Sequence, residues 1–247
     1  MAITPIPTCA DSPRDWGIAP EKWRCEDFSF SDQQLISIDG FLKTPDHAIS
    51  HAVLQNFARI TPQYPGVRAA LPARVCADWL TMLAPLLDHW FGAPAGGRGW
   101  AMQAWYSLVT TPPHALIPMQ RLPHVDGTDP AQIAMMLYLS PGGPHGGTAF
   151  FRHLSTGLEA LTGETYPRYA AAVQADHART GMPPAAYPTD GAPHFARTHV
   201  AEGRFNRAIF YRGNILHSGV IDNLAPLGTT PADGRLTINA FFRPAAE

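Results

Sequence analysis

Two histidines and one aspartate hold the clearest chemical signal in this chain. His124 and Asp126 are two residues apart in the stretch from Gln120 to Asp126, and His217 follows far downstream between Asn214 and Gly219. On an extended strand, residues i and i+2 project from one face, so an imidazole and a carboxylate would point at the same spot. A second imidazole from a neighbouring strand completes a set of two histidines and one carboxylate. Such a set holds non-haem Fe(II) on one face of an octahedron and leaves the other positions open. His217 is the candidate partner. His145, His153, His194 and His199 compete for the role, but none has a carboxylate two residues later.

Further residues with suitable chemistry follow in order. Tyr138 lies in the apolar run from Met135 to Ser140, Gly146 to Phe151 come next, and Arg235 and Thr237 open the run to Phe242. Arginine is permanently charged and presents a planar fork to a carboxylate, so Arg235, on a strand beside His217, could fix an acid bidentately. The Tyr138 phenol could add a hydrogen bond. Trp105, Tyr106, Gln120 and Arg121 flank the expected mouth and are candidates for substrate contact, with core packing the alternative for the aromatics.

This series of features resembles the Fe(II)/2-oxoglutarate-dependent oxygenases, and within them the prolyl-4-hydroxylase-like branch. The resemblance covers about residues 100–243, and the opening at 35–60 is similar to that branch's N-terminal region. It implies a double-stranded β-helix, or jelly roll, with iron inside one mouth. His124, Asp126 and His217 match the iron ligands. Arg235 matches the anchor of the far carboxylate of 2-oxoglutarate, Thr237 completes the Arg-x-Ser/Thr pattern, and Tyr138 matches a tyrosine that helps hold the same carboxylate. Fe(II), 2-oxoglutarate and O₂ are the implied cofactors, with ascorbate as a stimulant. The implied reaction is hydroxylation of an unactivated C–H bond in a peptide or protein side chain, an amino acid or a small metabolite. In related halogenases a small residue replaces the carboxylate ligand, and Asp126 therefore favours hydroxylation. The loop from Ile221 to Gly234 makes the interval before Arg235 longer than is usual in the branch, which leaves Arg243 and Arg212 as alternatives. A cupin-type metal enzyme that does not use 2-oxoglutarate, and a non-catalytic jelly-roll binding module, are the other classes to separate from this one.

The elements that must position these residues can be read in part. Residues 1–34 form an N-terminal extension expected to drape over the surface. Residues 35–98 hold a strand and turn at 35–42, a helix from Pro45 to about Ile60 with Thr44 as N-cap, loop chemistry from Tyr64 to Arg68, and a helix from Ala73 to Phe91 with a kink at Pro85. Residues 99–243 hold strands near 100–109, 132–140, 148–153, 205–211 and 236–242. An insert at 157–203 contains a helix from Glu164 to Arg179, and it serves either as a lid or as an outer decoration. Helices first, then strands without intervening helices, predict a mainly β (α+β) fold: a jelly-roll core with N-terminal helices packed on one sheet. One domain over residues 1–247 is expected.

Bulk composition narrows the partners. With 45% hydrophobic and 15% charged residues the chain suits a globular enzyme. A net charge of −2 provides no basic field, so nucleic acid and anionic membranes are not expected partners, and a small-molecule or peptide substrate is. Cys9, Cys25 and Cys76 are scattered and read as ordinary thiols in a reduced compartment. Neither a signal peptide nor a membrane-spanning run is visible, which predicts a cytoplasmic protein. The oligomeric state is open, a dimer included.

Overall fold

The computed structural model describes residues 17–140, 146–190 and 192–246. In chain order the strands are β1 (Arg24–Phe30), β2 (Gln33–Asp39), β3 (Gly66–Ala70), β4 (Trp100–Val109), β5 (Ile133–Tyr138), β6 (Gly147–His153), β7 (Phe195–Glu202), β8 (Arg207–Arg212), β9 (His217–Val220) and β10 (Leu236–Pro244). The helices are α1 (Pro45–Val53), α2 (Ala73–Phe91) and α3 (Tyr166–Thr180). All strand pairs are antiparallel, in a seven-stranded sheet ordered β1-β2-β8-β5-β10-β4-β3 and a smaller sheet ordered β7-β6-β9. An extended segment at His124 bridges to His217 on β9 and adds a fourth member to the small sheet. From β4 onward the chain alternates between the sheets, except that β6 and β7 pair within the small one. The pairs nest in sequence, β4 with β10, the His124 segment with β9, β5 with β8 and β6 with β7, which is the jelly roll.

The period-2 alternation of the large sheet decides what faces the site. On β10, Leu236, Ile238, Ala240 and Phe242 point outward into a core shared with Leu108, Met135 and Phe210. Helix α2 covers that face with Val75, Trp79, Leu83, Leu87 and Phe91, a stripe at every fourth residue, and α1 adds Ala48 and Ala52. Each large apolar side chain fully buried there contributes about 1.5–3 kcal/mol. The opposite residues, Thr237, Asn239 and Phe241, point inward towards the small sheet.

Several expectations are corrected. Residues 24–30 do not drape but form β1, joined to β2 by a two-residue turn in which Ser31 (φ 46°) and Asp32 (φ 63°) both adopt left-handed backbone. That is the geometry of a type I′ hairpin, made here without the usual Asn-Gly signal. Helix α1 stops at Val53, short of Ile60, because the following chain serves β3: Ala58 and Arg68 exchange backbone hydrogen bonds of 3.0 and 2.8 Å. Gly66 to Arg68, read as loop, therefore open a strand. Thr44 stands at the N-cap position without a side-chain cap bond. As expected, α2 runs from Ala73 to Phe91 with Pro85 inside it, on the exposed side where the orphaned carbonyl can turn to water. The stretch 157–203 is not all insert, since Phe195–Glu202 is the edge strand of the small sheet.

Asp39 and Arg207, directly opposite each other on β2 and β8, form a two-pronged ion pair at 2.6 and 2.9 Å. The bonds from Arg207 hold the Asp39 carboxyl below its ordinary value. A folded-state pKa below the unfolded one means that the pair stabilises above about pH 4. That contribution is lost as pH falls through the lowered value. Asp39→Asn should cost about 2 kcal/mol at neutral pH, and urea midpoints of mutant and wild type should converge under acid. A constant difference across that range would contradict the assignment.

Candidate metal centre and cavity

The three ligand candidates are brought together by backbone pairing. His124 N–H donates to His217 O at 2.9 Å and His217 N–H donates to His124 O at 2.8 Å. Directly opposed residues share a face, and the two imidazole centroids are 4.5 Å apart. Asp126 N–H donates to Gly213 O at 2.8 Å, which keeps the segment alongside. A Cβ at Gly213 would stand 3.4 Å from Asp126 Cβ and 3.0 Å from Gln132 Nε2, so the glycine lets this backbone approach. The stretch around His124 pairs through an isolated bridge rather than a full strand, but the shared face of positions i and i+2 holds.

Donor atoms from His124, Asp126 and His217 all lie within 4.8 Å of one another, and His217 Nε2 is 3.5 Å from Asp126 Oδ2. Cis ligands that each stand about 2.1 Å from an ion are about 3 Å apart, so a small closure accommodates one. His217 Nδ1 is 2.8 Å from Ile215 O. A carbonyl can only accept, so Nδ1 carries a proton and Nε2 is the ring nitrogen turned towards Asp126. For His124, enclosure by the pocket walls, then His217, then the Arg68 cation all disfavour a second proton. Its ring opens onto the cavity, yet all three influences act in one direction, and the imidazole stays a neutral donor. Burial raises the Asp126 carboxyl, with His217, Arg68 and Arg243 opposing it in part. A neutral His124, the inward-facing Nε2 of His217 and the Asp126 carboxyl group together present two imidazole nitrogens and one carboxylate oxygen, a donor set that suits Fe(II).

The cluster opens into a cavity of about 930 Å³ between the sheets. Arg68, Trp105, Asn239 and Phe241 line it from the large sheet, and Tyr169 and Val173 from α3. Helix α3 is therefore a wall of the cavity. It is tied down by Asp176, which accepts from Ser155 (2.5 Å) and Arg179 (2.7 Å) and lies 3.2 Å from His153 Nε2.

Arg235 is 8% exposed, lines the cavity, and donates from Nη2 to Gly147 O at 2.9 Å. Gly219 shares a face of β9 with His217, and a Cβ there would be 3.6 Å from Arg235 Nη2, so the missing side chain leaves space between guanidinium and cluster. Tyr138 is buried behind Arg235, its ring 5.8 Å from the guanidinium and its hydroxyl 2.8 Å from Thr148 Oγ1. Thr237 Oγ1 donates to Asn239 Oδ1 at 2.7 Å. Of the alternatives, Arg212 bonds to the Pro130 and Phe91 carbonyls and does not line the cavity. Arg243 is exposed, reaches the Asp126 end and donates to Gln132 at 2.9 Å.

Trp105 lines the cavity, whereas Tyr106 points into the helix-covered core, 3.1 Å from His51 Nδ1. Gln120 lines the cavity and Arg121 does not, and both pin the loop before His124. The Gln120 amide joins Ile117 N and Pro62 O, and Arg121 donates to Leu116 O and Pro183 O. His153 and His194 serve the α3 contacts, and His199 stacks on Phe30. Cys25 and Cys76 are free thiols, while Cys9 and His145 lie outside the described residues. Among the described residues no helix is long and apolar enough to cross a membrane. Arg68 and Tyr64 also line the cavity, and the sequence reading did not place them there. The one available signal was the alternation in Gly66 to Ala70, readable as a short strand with Arg68 on the face opposite Val67 and Ala69.

Comparison with solved structures finds partial overlaps. HygX from Streptomyces hygroscopicus with iron bound gives a TM-score of 0.44 at 12% identity, over 85% of this chain and 82% of that one. An N-substituted L-amino acid dioxygenase from Burkholderia ambifaria AMMD, in complex with alpha-KG, gives 0.39 at 9% identity, over 89% and 94%. No curated protein matches the chain in sequence. A family model does match, over residues 22–242, which span both sheets and every ligand candidate, and the chain belongs to that family, described as a family of unknown function (DUF6445).

Proposed function

We propose that the protein is an Fe(II)- and 2-oxoglutarate-dependent dioxygenase that hydroxylates an unactivated C–H bond of a small-molecule or peptide substrate. The observation that carries this reading is the convergence of His124, Asp126 and His217 at a cavity that also receives the Arg235 guanidinium. A metal site alone would suit many reactions. A buried arginine facing the same space adds a place for the far carboxylate of a dicarboxylic co-substrate.

The roles of the residues follow from their surroundings. His124 and His217 would hold the ion through ring nitrogens, and Asp126 through a carboxylate oxygen. The Ile215 carbonyl holds the His217 ring so that Nε2 faces inward. Arg235 holds the far carboxylate, Tyr138 backs the guanidinium, and Thr237 keeps Asn239 in place. The walls from α3 and the large sheet exclude water and fix the substrate's approach. Fe(II), 2-oxoglutarate and O₂, when bound, would supply the oxidising chemistry.

Incubation with Fe(II), 2-oxoglutarate and ascorbate should release succinate, and an oxidised substrate should gain one oxygen in mass spectrometry. Absence of Fe(II)-dependent succinate from folded, metal-binding protein would refute the reading in favour of a metal enzyme without 2-oxoglutarate.

A further inference from the structure

The large sheet brings a second cation to the cavity. Arg68 on β3 is in register with Ser107 of β4, which stands opposite Thr237 of β10. Directly opposed residues share a face, so all three point inward, and Arg68 lines the cavity that holds His124, Asp126 and His217. Its guanidinium lies 4.0 Å from the Tyr64 ring centroid and 5.9 Å from that of Trp105. A guanidinium stacked in this way keeps its N–H groups in its own plane, directed outward from the edge.

That edge has nothing to bind. Among the described residues the Arg68 guanidinium has no hydrogen-bond or ion-pair partner, and its Nε is buried as well as unpartnered. The Tyr64 hydroxyl is also buried without a partner: Ser107 lies beside it, but not in hydrogen-bonding geometry. Burial raises the Tyr64 pKa, so the hydroxyl remains a protonated donor. Burial also disfavours the Arg68 charge, which Tyr64 and Asp126 offset only in part. Arginine stays charged regardless, and a half-buried charge without a counter-ion is unfavourable. Asp126 forms no ion pair with it and belongs to the metal cluster. Arg68 Nε and the Tyr64 hydroxyl are thus two buried donor atoms on the cavity wall without a hydrogen-bond partner.

We infer that the substrate bears a carboxylate and that Arg68, with Tyr64, holds it. This rests on the dioxygenase reading above and adds a substrate class to it. A single planar fork matches a singly charged carboxylate. Arg68 stacks on Tyr64 from β3, whereas Arg235 precedes β10 and donates to Gly147 O of the small sheet, so the two guanidiniums are anchored separately. Around the mouth, Ile60, Met119 and Tyr166 line the same cavity from three separate segments and are 51%, 49% and 48% exposed. The acid end of the substrate is thus held within and an apolar body lies against the rim, so the ligand is an amphipathic carboxylic acid.

Ligand-observed NMR on the metal-free protein tests this, with medium-chain alkyl and aryl carboxylates each paired with its primary amide. Wild type should prefer acid over amide by about tenfold or more, as expected for a charge-assisted pair. Arg68→Gln should abolish the preference, Arg68→Lys should retain part of it, and Tyr64→Phe should reduce it. The affinity of each metal-loaded variant for 2-oxoglutarate should stay within about twofold of wild type, since Arg235 is untouched. Equal binding of acids and amides, or no binding of either, overturns the inference. Weakened 2-oxoglutarate binding in Arg68→Gln with acid preference intact also overturns it and makes Arg68 the co-substrate anchor. If acids are preferred but no succinate forms, the dioxygenase reading fails and a carboxylate site remains. If succinate forms without acid preference, only this inference fails.

Discussion

Replacing His217 by alanine should lower the affinity for Fe(II) by more than about 100-fold, because even groups that only orient a ligand typically contribute 10–100-fold. Succinate formation should vanish with the metal. The side chain removed is buried, and its loss leaves Ile215 O without its partner, at about 1–3 kcal/mol. The backbone bonds with His124 do not depend on the imidazole, so the fold should survive. Asp126→Asn gives a second route with almost no change in shape: it removes the charge and keeps the volume. Anaerobic titration with Co(II), followed by its visible absorption, reads the site without turnover. Wild-type metal affinity in both variants would mean that the ion binds elsewhere and that the convergence of the three residues is incidental.

The second large effect is expected at Arg235. Two charge-assisted hydrogen bonds to a carboxylate are worth about 1.5–3 kcal/mol each, so Arg235→Leu should weaken 2-oxoglutarate by about 100-fold or more. Fe(II) affinity should change little, because Arg235 is not among the three converging donors. Arg235→Lys keeps the charge but loses the fork and should recover part of the binding. Arg212→Ala is the control, since that guanidinium is held by the Pro130 and Phe91 carbonyls. Arg243→Ala is the informative rival. If it, rather than Arg235→Leu, raised the KM for 2-oxoglutarate, the co-substrate would lie with its far end towards Gln132 instead of Gly147.

The two variants separate metal from co-substrate because their residues reach the cavity by different routes. His217 arrives on the small sheet, whereas Arg235 comes just ahead of β10 in the large one. Gly219 keeps the space between them clear. A larger side chain there would intrude on that space without touching either group's backbone.

Much of this site was legible in one dimension. The spacing of His124 and Asp126 is a local property: side chains two apart on extended chain share a face whatever lies around them. The stripe along α2 is legible for the same reason, since Val75, Trp79, Leu83 and Leu87 repeat with the helix's own period. The run Leu236 to Phe242 announced a buried strand, and with it the position of Arg235. What was missed shares a cause. Strands β1, β3 and β7 are the sheet edges, so their side chains are half-exposed and alternate weakly between apolar and polar.

The sequence by itself thus determined the candidate ligand types, their local spacing and the fold class, because these depend on residue chemistry and on the periods of strand and helix. Only the tertiary structure decided that Arg68 and Tyr64 face the same cavity as His217, that Tyr106 does not, and that α3 forms a wall. Those outcomes depend on register between distant strands, such as Arg68 opposite Ser107 and Ser107 opposite Thr237. A shift of one residue in that register would have turned the Arg68 guanidinium to the helix-covered face.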